Sequence, residues 1–167
     1  ARLPWLLIGL IGGIMGARVI ELYEGDLQLY PEMAFFIPLI AAMGGNVGVQ
    51  SSAIIVQGLA NNSLGLSGIW SKLRKEFGVA LLNGVVLSVL IFVYNYVFQD
   101  SLHLAYTVSL ALFCVILVAA LFGTFVPLVL DKYEIDPALA TGPFITTVND
   151  VLGLFIYFLI GHMLYIS

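Results

Sequence analysis

The sequence predicts an all-α polytopic membrane protein with five transmembrane helices per chain. Three observations carry this reading. Hydrophobic residues make up 61% of the chain and charged residues 10%, against about 25% charged in a typical soluble domain. Several apolar runs reach the roughly 20 residues that a helix needs to cross a hydrocarbon core of about 30 Å. None of these runs alternates as a transmembrane β-strand must, and a helix satisfies its own backbone where water is absent.

The five spans fall at about 3–23, 35–60, 77–98, 104–130 and 139–166, so the whole of 1–167 reads as a single transmembrane domain. The first follows Arg2, and no small-residue cleavage site makes it a signal peptide. Glu76 opens the third span, where a carboxylate is favourable against the helix dipole. Asn83 and Ser88 in that span are expected to make interhelical hydrogen bonds. Pro127 is expected to kink the fourth span near its inner end. Cys114, the single cysteine, reads as a small buried hydrophobe. Trp5, Trp70 and Tyr165 sit near span ends as interface anchors.

Lys and Arg set the orientation. Arg2, then Lys72, Arg74 and Lys75, then Lys132 fall on one side if the spans alternate, and the loops 24–32 and 99–103 carry no Lys or Arg. The N-terminus is therefore expected in the cytoplasm and the C-terminus outside. Arg18 is the exception, with Glu21 one turn away as its ion-pair partner. The chain begins Ala1-Arg2-Leu3-Pro4, which is expected of a cut from something longer or a processed product.

Two spans are unlike the rest. The second carries Gly44-Gly45-Asn46-Val47-Gly48-Val49-Gln50-Ser51-Ser52 at mid-membrane depth, with Pro38 about two turns earlier. Small residues permit close helix approach. The amides of Asn46 and Gln50 are less easily explained that way, and they suggest a loosened backbone exposing carbonyls to a cavity. The fifth starts with Asp136 as N-cap and Pro137 at the first helical position. Gly142-Pro143 then interrupts it, freeing the carbonyl of Leu139. Leu139, Gly142 or Pro143, Thr146 and Asp150 recur at three- and four-residue spacing and so share one face of a continuous helix.

Asp150 is the most informative residue. A carboxylate at that depth costs about 2.5–3.5 kcal/mol on insertion scales, and no Lys or Arg lies in its segment. A bound cation or a wet path offsets such a cost. The surrounding donors are carboxylate, amide, hydroxyl and carbonyl oxygens, which suit a hard cation such as Mg²⁺ better than Cu⁺ or Zn²⁺. Mg²⁺ keeps several of its waters, so a sparse site suffices. One Asp balances half a divalent charge, and a two-fold homodimer would bring two copies of Asp150 to a shared axis.

Other classes are poorly supported. The motifs of metalloproteases, serine hydrolases and P-loop enzymes are missing, which speaks against an enzyme. His103 and His162 read as surface or interfacial histidines. No basic stripe suggests nucleic acid. A secondary transporter, with Asp150 as an H⁺ or Na⁺ relay, is the alternative to a channel. A purely structural membrane subunit leaves Asp150 unexplained.

Pro38 with Gly44-Gly45-Asn46-x-Gly48-x-Gln50-Ser51, and Asp136-Pro137-Ala138 with Gly142-Pro143-x-x-Thr146-Thr147-x-x-Asp150-x-x-Gly153, resemble the membrane domain of the MgtE family of magnesium channels. The opening Arg2-x-Pro4-Trp5-Leu6 fits the start of that domain, and the resemblance covers essentially the whole chain. It implies a homodimer in the lipid of a bacterial inner membrane, with a pore lined by the second and fifth helices. It also implies that Asp150 contacts hydrated Mg²⁺, that a backbone carbonyl at Thr146 assists, and that oxygens near Gly45 and Gly142 line the inner side. The candidate metal-contacting residues are thus Asp150, Thr146, Gly142, Asn46 and Gly45. The candidate pore-lining residues are Leu139, Thr147, Asn149, Gly44, Gly48 and Gln50. The chain departs from the pattern at Val49 and Ala53, where some members carry polar residues, which weakens the case for a second, more cytoplasmic ion position on the pore. Family members carry a cytosolic N-terminal domain and paired CBS domains that sense Mg²⁺. No part of the sequence corresponds to them, so an isolated pore domain without Mg²⁺-dependent closure is expected.

Overall fold

The computed structural model describes residues 2–61 and 68–166. Six α-helices form in the order α1 (Leu3–Leu22), α2 (Glu24–Leu29), α3 (Ile37–Ala60), α4 (Gly68–Phe98), α5 (Leu102–Lys132) and α6 (Pro143–Ile166). Short 3-10 turns at Pro31–Phe36 and Pro137–Thr141 lead into α3 and α6. All helices but α2 are long and apolar enough to cross a membrane, which gives the five expected spans. Residues 62–67 of the expected inner loop between α3 and α4 lie outside the described residues.

The bundle is organised around α5. Its neighbours are α3, α4 and α6, while α1 packs on α6. Leu104, Val108, Ala111, Leu112, Val115, Ile116 and Ala120 are buried along α5 at helical spacing. They meet Ile40 of α3 and Leu154, Tyr157 and Phe158 of α6 in one apolar core. The lipid-facing sides of α1 and α4 are aliphatic, with Leu6, Leu10 and Ile14 on α1 and Leu82, Val86 and Val93 on α4 exposed. Ser101 caps α5 by accepting from the Leu104 amide at 3.2 Å, and Asp136 accepts from the Ala138 amide at 3.0 Å. Arg18 pairs with Glu21 at 3.1 Å, as expected, and both are exposed.

Several expectations change in the folded chain. α4 begins at Gly68, so Lys72, Arg74 and Lys75 lie on a helix and Glu76 is two turns inside it, beyond the reach of the terminal dipole. Hydropathy marks where the hydrocarbon begins, whereas a helix can run on into the headgroup layer. α3 runs unbroken from Ile37 to Ala60, so the glycine-rich stretch is not loosened. Pro38 lies in its first turn, where the missing donor costs nothing. The Ser88 hydroxyl is buried without a hydrogen-bond partner among the described residues, not bonded across helices within them. Tyr165 packs on Tyr30, with ring centroids 4.2 Å apart, and its hydroxyl is buried, so it is less an interface anchor than an interior contact.

The glycines of α3 are packing positions. Gly48 and Gly123 put α3 and α5 in backbone contact, with the Gly48 carbonyl where a Gly123 side chain would begin. A methyl group at Gly123 must push backbone aside. Gly123→Ala should therefore lower stability by about 1–3 kcal/mol. Gly78→Ala, whose new methyl meets open space, should stay within about 0.5 kcal/mol of the original or gain slightly. Thermal unfolding of the two variants in the same detergent checks the contrast.

Candidate functional site

The site forms where α6 crosses α3 and α1. Gly142 adopts an extended conformation, with φ −102° and ψ −154°, between the 3-10 turn and α6. Pro143 then starts α6 at a position where no amide donor is needed. The interruption expected at Gly142-Pro143 is present, and it lies at the glycine. Leu139 belongs to the turn before the break. The expected stripe therefore continues on α6 only from Pro143 through Thr146 to Asp150. The amide of Thr146 donates to the Gly142 carbonyl at 3.5 Å, so the first turn is long.

Asp150 lies two turns into α6 and is partly buried. A Cβ on Gly45 would sit 2.8 Å from Asp150 Oδ1 and 3.2 Å from the Thr146 methyl. Gly45 thus leaves the space that the carboxylate occupies. Asp150 also lines a cavity of about 350 Å³ walled by Gly9, Gly12, Gly13 and Gly16 of α1, Ala41 of α3 and Thr147 of α6. Small residues on α1 hold this space open. No ion pair reaches Asp150 among the described residues, and no cluster of three His, Cys, Asp or Glu occurs among them.

The remaining candidates divide. Thr147 lines the same cavity and packs its methyl onto Gly12. Gly44 lies against the backbone of Asn149, and Gly48 lies against the Asn149 amide. Asn149 is buried, and neither amide atom has a hydrogen-bond partner among the described residues. Asn46 is exposed on α3, and a side chain on Gly142 would meet open space. Leu139 is exposed. Gln50 lines a different cavity, facing α4. Gly45, Thr146 and Asp150 are therefore brought together, with Thr147 beside them, while Gln50 and Leu139 are not.

Sequence reasoning missed the contribution of α1. Its Gly9-x-x-Gly12-Gly13-x-x-Gly16 pattern was a usable signal, since small residues at that spacing admit a second helix. It also missed the clasp on the C-terminal half of α6. The Tyr157 hydroxyl donates to the Met33 carbonyl at 2.7 Å. Tyr23 stacks on Phe158 at 5.4 Å. His162 Nδ1 lies 2.7 Å from Asp26 Oδ2, so this histidine is tied to α2. His103 packs against the Tyr165 ring at 5.7 Å.

Comparison with known proteins agrees with this architecture. The MgtE family model, described as a divalent cation transporter, matches residues 37–160. The chain is 37% identical over 157 residues to the magnesium transporter MgtE of Bacillus subtilis (strain 168), covering 94% of this chain and 35% of that protein. It is 38% identical over 162 residues to the magnesium transporter MgtE of Enterococcus faecalis, covering 97% and 36%. It is 34% identical over 165 residues to the magnesium transporter MgtE of Thermus thermophilus, covering 98% and 36%. The chain thus spans about a third of the length of these relatives. The matched segment runs from the start of α3 through Asp150 to Ile160 of α6, and the chain belongs to the MgtE family.

Proposed function

We propose that this chain is the pore-forming part of a Mg²⁺-selective channel. It conducts largely hydrated divalent cations down their electrochemical gradient, through a pore between two copies lined by α3 and α6. The observation that carries the proposal is the Asp150 carboxylate. It is seated against Gly45, opens into a glycine-walled space and has no basic partner among the described residues. An unneutralised carboxylate at that depth is stable only with water or a cation beside it. The relatives named as magnesium transporters support the choice of ion.

In this reading Asp150 contacts the hydration shell of the ion, assisted by oxygens of Thr146, Gly142, Gly45 and Asn46. Thr147, Asn149, Leu139, Gly44 and Gly48 shape the wall. The copies sit in the cytoplasmic membrane with the N-terminus inside, which places Lys72, Arg74, Lys75 and Lys132 at the inner face. The cytosolic N-terminal and CBS domains of longer family members would regulate the pore. A divalent ion moving inward through 100 mV gains about 4.6 kcal/mol, twice the single-charge value. That drive needs no coupled gradient.

Mg²⁺ uptake into proteoliposomes under an inside-negative potential tests the reading. Uptake should proceed without a proton or Na⁺ gradient. Asp150→Asn should reduce it by at least about tenfold, the factor that 1.4 kcal/mol of lost ion stabilisation represents. Uptake that requires a pH or Na⁺ gradient would point to a secondary transporter. Uptake that ignores the substitution would remove Asp150 from the ion path.

Gly45→Ala offers a check that leaves every charge in place. Its methyl would lie 2.8 Å from Asp150 Oδ1 and must displace the carboxylate. Uptake should fall several-fold, while Gly78→Ala, on α4 away from the Asp150 cavity and with its new methyl in open space, should leave uptake near the original rate.

A further inference from the structure

A second cavity, of about 70 Å³, lies between α3, α4 and α5 and shares no residue with the Asp150 cavity. Glu76 and Asn83 of α4 face Gln50 and Ser51 of α3 across it, with Ile116 and Ala120 of α5 behind. Glu76 lies eight residues after the start of α4 at Gly68, about 12 Å along the axis at about 1.5 Å per residue. Gln50 lies ten residues before the end of α3 at Ala60, at a matching depth in the antiparallel partner.

Neither position is explained by its own helix. Glu76 is beyond the first turn, so the helix dipole does not hold its charge. It has no ion pair among the described residues. Gln50 and Asn83 are exposed in the chain, at depths where the alternative surroundings are hydrocarbon. α4 rests mainly on α5 and touches α3 only slightly. Two spans that barely meet therefore present a carboxylate, two amides and a hydroxyl to the gap between them.

We infer that this gap is a second divalent-cation site, off the conduction path, which bridges the pore helix α3 to the outer helix α4. All of its donors are oxygens, or amides that can present oxygen, as a hard cation requires. The volume accommodates an ion with one or two retained waters, each occupying about 30 Å³. One carboxylate suffices for an ion that keeps part of its hydration shell. Occupancy would tie α3 to α4 at the depth of Gln50. Only the identity of the ion rests on the proposed function, since the donors are set by the cavity.

Mn²⁺ binding to the chain in lipid nanodiscs, followed by the loss of the free Mn²⁺ electron paramagnetic resonance signal, tests the inference. The Asp150→Asn variant should retain one class of bound Mn²⁺, and adding Glu76→Gln should weaken that class at least tenfold. Asn83→Leu, which leaves every charge in place, should weaken it as well. Lys72 lies one turn inward of Glu76 and competes with a cation for it, so Lys72→Gln should tighten binding. The inference fails if Asp150→Asn alone abolishes Mn²⁺ binding. It also fails if Glu76→Gln leaves the residual class unchanged, or if Lys72→Gln weakens it. Failure of uptake in wild type would count against the channel proposal and leave this binding result standing.

Discussion

The packing of α6 against α3 is governed by one constraint, the room needed by a carboxylate with no basic partner among the described residues. Asp150 fits because Gly45 has no side chain. The same crossing continues one turn along through Gly48, where the Asn149 amide takes the place of a side chain. α5 closes the arrangement from behind by bringing Gly123 onto the Gly48 backbone. Three helices thus approach closely around residues that contribute almost no volume. Without a hydrophobic driving force between helices in lipid, van der Waals contact of this kind supplies much of the association energy. The polar site and the tight packing are consequently one feature, and the stretch Gly44–Ser52 serves both.

The large features of the fold were legible because the bilayer imposes a length. Apolar runs near 20 residues must be spans, and five were found within a few residues of the expected ends, except that α4 starts well before 77. The break at Gly142-Pro143 was legible because both residues oppose helix continuation for separate reasons. The capping by Asp136 followed from the same local chemistry.

What escaped the sequence depended on partners. The glycine-rich part of α3 read as loosened backbone because polar and small residues often mark unwound segments. In the structure the helix is continuous, since its hydrogen bonds are internal and neighbours fill the missing side chains. Asp150 and Thr146 were identified from one helix face, but the wall opposite them comes from α1, more than 130 residues away in sequence. Glu76 was read as a helix-terminal charge because the charged stretch before it resembled a loop. Its helix in fact starts eight residues earlier. Asn149 is the neighbour of Asp150 in sequence only, since a helix turns about 100° per residue, and its contact with Gly48 came from the packing of α3 rather than from the pattern.

The two ends of α6 are secured differently. At the C-terminal end Tyr157, Phe158 and His162 grip the segment from Tyr23 to Met33 through a hydrogen bond, a ring stack and the His162–Asp26 contact. At the N-terminal end the helix begins after a single extended glycine. Such a rod behaves as a lever with its fulcrum at the C-terminal clasp. Asp150 lies seven residues after Pro143 and Tyr157 seven after Asp150, so Asp150 is midway along the arm. A tilt of about 10° about Tyr157, taken up by sliding against the small residues of α3 and α1, would carry Asp150 by about 2 Å and Pro143 by about 4 Å, at about 1.5 Å per residue. Small movements would thus displace the start of α6 about twice as far as the carboxylate.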